Sequence, residues 1–258
     1  MSIPARGAHR PAPVLGVPFH LLDYRGTFDT IEGWRRSGRR HYVVFANPHV
    51  VMSCRGDAQL SDALSKAGLV LPDGTGILLA AKMLRYQHFG RVTGPTFMLK
   101  MCDWGRPQGY RHYFYGGEPG VADRLADRLS AAYPGLQVAG THSPPFRPLT
   151  PAEDEAIIQA INATRPDVIW VGLGAPKQEK WMADHVGRIQ ATVLAGVGAA
   201  FNFHSGTVPW APAWVRNLGL EWAHRLLCEP RRLWRRNLYS ALFLFGVVQD
   251  ILAHGPAV

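Results

Sequence analysis

Six short runs dense in β-branched and aromatic residues recur along the chain, separated by stretches with helical spacing, and this alternation restricts the fold more than any other property. "HYVVFAN" (41–47), "GLVL" (68–71), "HYFYG" (112–116), "LQVAG" (136–140), "DVIWVGLG" (167–174) and "ATVLAGVGAAFN" (191–202) read as strands. Helical periodicity occupies 57–67, 74–86, 95–104, 118–133, 151–164 and 176–186. Some of these helices carry local start signals. In "TPAEDEAI", Thr150 suits the cap, Pro151 the first helical position and the acids the first turn. Continuous apolar strands separated by helices predict an α/β fold: a Rossmann-like, mostly parallel sheet with helices on both faces.

The pattern changes after "FHSGTVPWAPAW" (203–214), beyond which only helical signals remain. The expected organisation is therefore a flexible N-terminal tail over 1–13, an α/β catalytic body over 14–205, and a helical, basic and aromatic appendage over 206–258. The tail lacks the apolar core of a secretory signal, so a cytoplasmic location is expected. Three widely separated cysteines, Cys54, Cys102 and Cys228, have neither disulfide-framework nor zinc spacing and are expected to be reduced.

A formal charge of +9 points to an anionic partner. Much of that charge sits in "HRLLCEPRRLWRRNLYSALFLFGVVQD", where arginines and aromatics precede an apolar run. Gln249 and Asp250 stop the run short of the roughly 20 residues a spanning helix requires, so this segment is expected to lie on an anionic membrane surface rather than cross it. Arg225, Arg232 and Arg235 recur at spacings that place the last two on one helical face. A basic nucleic-acid-binding α/β protein is the alternative reading. It has the charge in its favour and lacks a recognition motif.

Ligands of open α/β sheets bind at the carboxyl ends of the strands, which singles out Asn47 in "FANPHV", Asp73 in "LPDGTG" and "GLGAPKQEKW" (172–181). Pro-Asp-Gly is a turn sequence, and Asp73 is a natural helix cap. A carboxylate at a strand end is also what a general base requires, and both roles stay open. "GLGAPKQEKW" lacks the third glycine of a dinucleotide fingerprint and the spacing of a phosphate-binding P-loop. The 11 histidines show no metal spacing, and no Asp-x-Asp follows a strand. No cofactor and no metal are expected, and a diphosphate would be neutralised by arginine.

In order along the chain, "NPHVV", "LPDGTGI", "RVTG", "GLGAPKQEKW", "GVGAAFNFHSGTVPWAPAWVRNLGLEW" and "HRLLCEPRRLWRR" resemble the motifs of the WecG/TagA/CpsF family of bacterial glycosyltransferases, over about residues 42–251. The resemblance implies a metal-independent, inverting transfer of a hexose or N-acetylhexosamine. The donor would be a UDP-sugar and the acceptor an undecaprenyl-diphosphate-linked sugar, at the inner face of the cell membrane, in cell-surface polysaccharide synthesis. It also implies that Asp73 is the catalytic base and that Asn47, Arg91 and Gln178 contact sugar or nucleotide. Arg225, Arg232 and Arg235 would reach a diphosphate. The sequence departs from the family at Phe45, where a threonine is common, and at Thr96, where many relatives carry an aspartate; both positions bear on the expected donor pocket. Neither the individual sugar nor the oligomeric state follows from the resemblance, and a homo-oligomer stays open.

Overall fold

The computed structural model describes residues 11–86, 90–228 and 230–256; the side chains of Arg225 and of residues 232–237 lie outside that description. A short antiparallel hairpin, β1 (Ala12–Val14) and β2 (Val17–Phe19), precedes six strands: β3 (His41–Ala46), β4 (Leu69–Pro72), β5 (Arg111–Gly116), β6 (Gln137–His142), β7 (Val168–Gly172) and β8 (Val193–Gly196). These six form one all-parallel sheet in the order β4-β3-β8-β7-β5-β6. The helices are α1 (Tyr24–Ser37), α2 (Pro48–Cys54), α3 (Ala58–Lys66), α4 (Thr75–Met83), α5 (Gly94–Trp104), α6 (Val121–Ala132), α7 (Pro151–Ala163), α8 (Lys177–His185), α9 (Ala200–His204), α10 (Ala213–Asn217), α11 (Glu221–Cys228) and α12 (Pro230–His254).

The strand residues explain the layering. Because side chains alternate across a strand, Tyr42, Val44 and Ala46 of β3 enter one core, while Val43 and Phe45 enter the other. The first core is closed by α2, α3, α4, α7, α8, α12 and the hairpin, and the second by α1, α5, α6 and α9. A parallel sheet covered on both faces needs apolar residues throughout its strands, as the sequence has.

The structure adds detail that the periodicity left out. Ala12 and Pro13, assigned to a tail, lie in β1, and Ala12 is buried; residues 1–10 of that tail are outside the described residues. The run 191–202 is not one strand, since β8 ends at Gly196 and α9 follows after a turn through Gly198. The helices α1 and α2 were not anticipated. Beside the sheet edge, the His20 amide donates to the Val70 carbonyl (2.8 Å) and the Val70 amide to His20 Nδ1 (3.1 Å), which covers backbone groups that an edge strand would otherwise expose.

The C-terminal segment is helical, and it is anchored in the body. Phe243 and Val247 of α12 are fully buried in the first core, against the α2 and α4 side of the sheet. Among the described residues no helix is long and apolar enough to cross a membrane. All three cysteines are free.

Candidate active site

Strand order gathers the distant motifs onto one rim. Because β4, β3, β8 and β7 are neighbours, the loops after them, carrying Asp73, Asn47, Gly196–Gly198 and Gly172–Gln178, lie side by side at the carboxyl edge of the sheet. The Asp73 amide donates to the Ala46 carbonyl at 2.9 Å, tying the end of β4 to the end of β3. Asn47 accepts from the Val50 amide through Oδ1 at 3.2 Å and so caps α2. Asp73, partly buried, precedes α4, but the cap position of that helix belongs to Gly74.

Gln178 is buried and holds the loop after β7. Its Oε1 accepts from the Gly174 amide (3.2 Å), and its Nε2 donates to Glu179 Oε1 (2.9 Å). A fully buried carboxylate and a buried amide thus stiffen the turn where β7 becomes α8. Nearby, burial, and then the charges of Asp57 and Glu179, push the Cys54 thiol up to about 11, so it is not a nucleophile at neutral pH.

Arg91 faces the C-terminal segment. Its Nη1 donates to the Arg216 carbonyl at 3.3 Å, and its Nη2 lies 3.8 Å from Glu221 Oε2. Thr75, two residues beyond Asp73, donates through Oγ1 to the Gly219 carbonyl at 3.4 Å. The turn between α10 and α11 therefore rests on the first turn of α4, and the structure brings Asp73, Thr75, Arg91 and residues 216–221 to one place. The backbones of Arg225, Arg232 and Arg235 lie on α11 and α12, while their side chains, where the expected diphosphate contacts would be made, are outside the described residues.

Phe45 is buried in the second core, its ring centroid 5.8 Å from that of Phe97, so it enters the apolar layer beneath the rim. Any effect of this departure on the sugar pocket has to pass through packing. Thr96 is partly exposed in the first turn of α5.

One region of the rim escaped the sequence reading. The connection after β5 leads outward to β6, and the one after β7 leads back to β8. The two diverge over a crevice, the topological switch point at which α/β sheets take ligands. The backbones touch there. The Gly117 amide donates to the Gly172 carbonyl at 3.2 Å, and a Cβ on Gly116 (φ 128°) would sit 2.6 Å from the Gly172 carbonyl carbon. Beside the crevice is a cavity of about 530 Å³ lined by Tyr115, Leu173, Lys177, Trp181 and His185 among others. The rings of Tyr115, Trp181 and His185 stack at 4.4 and 4.1 Å. His185 Nε2 lies 2.8 Å from Asp154 Oδ1; burial alone would raise the Asp154 carboxyl, but His185 and Arg188 hold it below the usual carboxylate range. The available signal was "YGGEPG" (115–120), a second glycine-rich strand end.

Among the described residues no three His, Cys, Asp or Glu side chains gather into a metal-binding group. The sequence profile of the Glycosyl transferase WecG/TagA/CpsF family matches residues 12–256.

The chain belongs to the WecG/TagA/CpsF family of glycosyltransferases.

Two similar proteins are named N-acetylglucosaminyldiphosphoundecaprenol N-acetyl-beta-D-mannosaminyltransferase. The one from Bacillus subtilis (strain 168) is 27% identical over 205 residues, 79% of this chain and 77% of the relative. The one from Staphylococcus aureus (strain NCTC 8325) is 26% identical over 237 residues, 91% of each chain. This WecG/TagA/CpsF protein is thus a glycosyltransferase of the hexosyl-transferring type, and a nucleic-acid-binding protein without transferase activity is set aside.

Proposed function

We propose that this glycosyltransferase moves a hexose or N-acetylhexosamine from a UDP-sugar to an undecaprenyl-diphosphate-linked sugar, with inversion and without a metal ion. The reaction would run at the inner face of the cell membrane and serve cell-surface polysaccharide synthesis. The observation that carries this reading is the convergence of the Asp73 loop with Arg91 and the C-terminal segment on the strand rim.

In this reading the acceptor hydroxyl oxygen attacks the anomeric carbon of the donor. Asp73 takes the hydroxyl proton, the bond from the anomeric carbon to the diphosphate breaks, and the electron pair leaves with UDP. Asn47 and Gln178 contact the donor beside Asp73. Arg91, Arg225, Arg232 and Arg235 offset the diphosphate charge, a task suited to permanent, forked cations. The crevice between the β5 and β7 loops suits the nucleotide, with the aromatic cavity beside it for the base. The relatives' names support a lipid-diphosphate sugar as acceptor. The surface of α12 supports membrane contact, since Leu238, Leu242, Phe245 and Leu252 all face outward.

The decisive assay mixes the protein, a panel of UDP-sugars and a short-chain polyprenyl-diphosphate sugar, with UDP release and product mass as readouts. Asp73→Asn is expected to lower turnover by roughly 10²- to 10⁴-fold while UDP binding persists, and a chelator is expected to leave the wild-type rate unchanged. Full turnover by Asp73→Asn removes the base assignment.

A further inference from the structure

We propose that Glu221 is a positioning residue of the transferase: through Arg91 it clasps the α10–α11 turn onto the start of α4 and so completes the site around Asp73. The proposal rests on the transferase reading for its kinetic consequence, but the clasp itself is a statement about the fold.

Several interactions converge on this turn. Gly219 has φ 74°, and a Cβ built on it would fall 2.2 Å from Thr75 Cγ2, so the turn's backbone lies directly on Thr75 with no space for a side chain. Thr75 Oγ1 donates to the Gly219 carbonyl at 3.4 Å. Arg91 spans the turn, donating to the Arg216 carbonyl (3.3 Å) with one nitrogen and placing the other 3.8 Å from Glu221 Oε2. The second Glu221 oxygen accepts from Trp210 Nε1 at 3.4 Å, and the Arg216 guanidinium stacks 3.5 Å above the Trp210 ring. Glu221 therefore joins the body, through Arg91, to both ends of the segment 210–221.

The charge balance explains why the pair matters. The Arg91 and Glu221 side chains are only 21% and 20% exposed, so each partner removed leaves the other half-desolvated. An exposed pair at this separation would contribute little. As the first residue of α11, Glu221 also faces the positive end of that helix, and this alone would favour an acid. The two roles separate experimentally, because a helix-end role requires no Arg91.

The clasp touches the donor side through Arg91 and the acceptor side through the segment 216–221. The expected donor contacts at Asn47 and Gln178 belong to the body and are independent of Glu221. The acceptor is expected to reach Asp73 past residues 216–221 and the arginines beyond them. Releasing the clasp should free Arg91 and the segment that leads to Arg225, Arg232 and Arg235, and so weaken both acceptor use and the hold on the nucleotide diphosphate.

The test uses the chain in five forms: wild type, Glu221→Ala, Glu221→Gln, Arg91→Glu and the exchange Arg91→Glu/Glu221→Arg. Amide hydrogen exchange over 215–224 is measured first and needs no substrate. Exchange about tenfold faster in Glu221→Ala, with protection partly regained in the double variant relative to Arg91→Glu alone, is expected. On the kinetic side, kcat/KM for the acceptor should fall about tenfold in Glu221→Ala, and the UDP Kd should rise with it, because Arg91 loses the carboxylate that orients it. Unchanged exchange in both single Glu221 variants overturns the clasp. Faster exchange with unchanged acceptor kcat/KM overturns the positioning role. Loss of transfer by the wild type across every UDP-sugar tested strikes the transferase reading instead, and the exchange result then stands on its own. Glu221→Gln, which keeps the Trp210 contact and the side-chain volume, decides the matter if Glu221→Ala fails to fold.

Discussion

In the α/β body, apolar side chains on both sides of the strands are covered by helices, whereas α10–α12 carry large apolar groups outward: Trp214 is 65% exposed, Phe245 60% and Leu252 81%. The contrast runs through a single helix. Phe243 and Val247 of α12 have no exposed surface, while Phe245, between them, faces away from the protein. One side of α12 completes the core of the body, and the other side presents a stripe that water does not favour. A core-forming surface and an outward apolar surface can share one element when each uses its own helical face.

Breaking the inner side should have the largest effect. Phe243→Ala is expected to cost about 3–5 kcal/mol of stability in chemical denaturation, because it removes a fully buried ring from the cluster shared by α2, α4 and the hairpin. The outer side should respond in the opposite way. Phe245→Ser is expected to leave folding stability within about 0.5 kcal/mol while weakening partition onto anionic vesicles roughly 10- to 100-fold in a sedimentation assay. Equal losses of stability from both substitutions would dissolve the contrast.

Acid sharpens it further, because the body hides a titratable ring, whereas His254 of α12 lies at the surface. His112 is fully buried, its Nδ1 accepting from Trp170 Nε1 at 3.1 Å, and burial pushes it down to about 3. Between pH 6.5 and about 3 the unfolded chain binds a proton that the folded chain refuses, so stability falls as pH is lowered through that window. The contribution at pH 5 is about 2 kcal/mol relative to pH 8. His112→Gln, which preserves an acceptor for Trp170, is expected to flatten the pH dependence of unfolding by that amount. An identical slope in the variant would show that the ring is protonated in place.

The fold was largely legible because strand and helix periods differ and because burial on both faces leaves no polar alternation to blur the strands. The six sheet strands lie within a few residues of the sequence boundaries, except where Gly198 turns the chain into α9. The hairpin was obscured by its prolines: Ala12 and Pro13 read as loose tail and Val17-Pro18-Phe19 gave no strand signal, yet Ala12, Val14 and Phe19 are buried. The placement of the candidate residues was legible wherever a motif sits at a strand end. Asp73, Asn47 and Gln178 share a rim because β4, β3, β8 and β7 are adjacent. Arg91 was named for a substrate contact, and the structure adds partners that sequence could not supply, since Arg216 and Glu221 are more than 120 residues away. Glu221 itself carries no sequence signal that sets it apart from other surface acids. Its link to the body exists only in three dimensions.

The hairpin leaves one consequence for how the molecule is made. Leu15, at its tip, would lie 3.3 Å from a Cβ on Gly246, and Val14, Val17 and Phe19 share a core with Phe243 and Val247. Segments more than 220 residues apart in the chain thus complete one another's burial. Contacts of such long sequence separation carry a high loop-closure cost, so this seam is where folding is expected to be slowest.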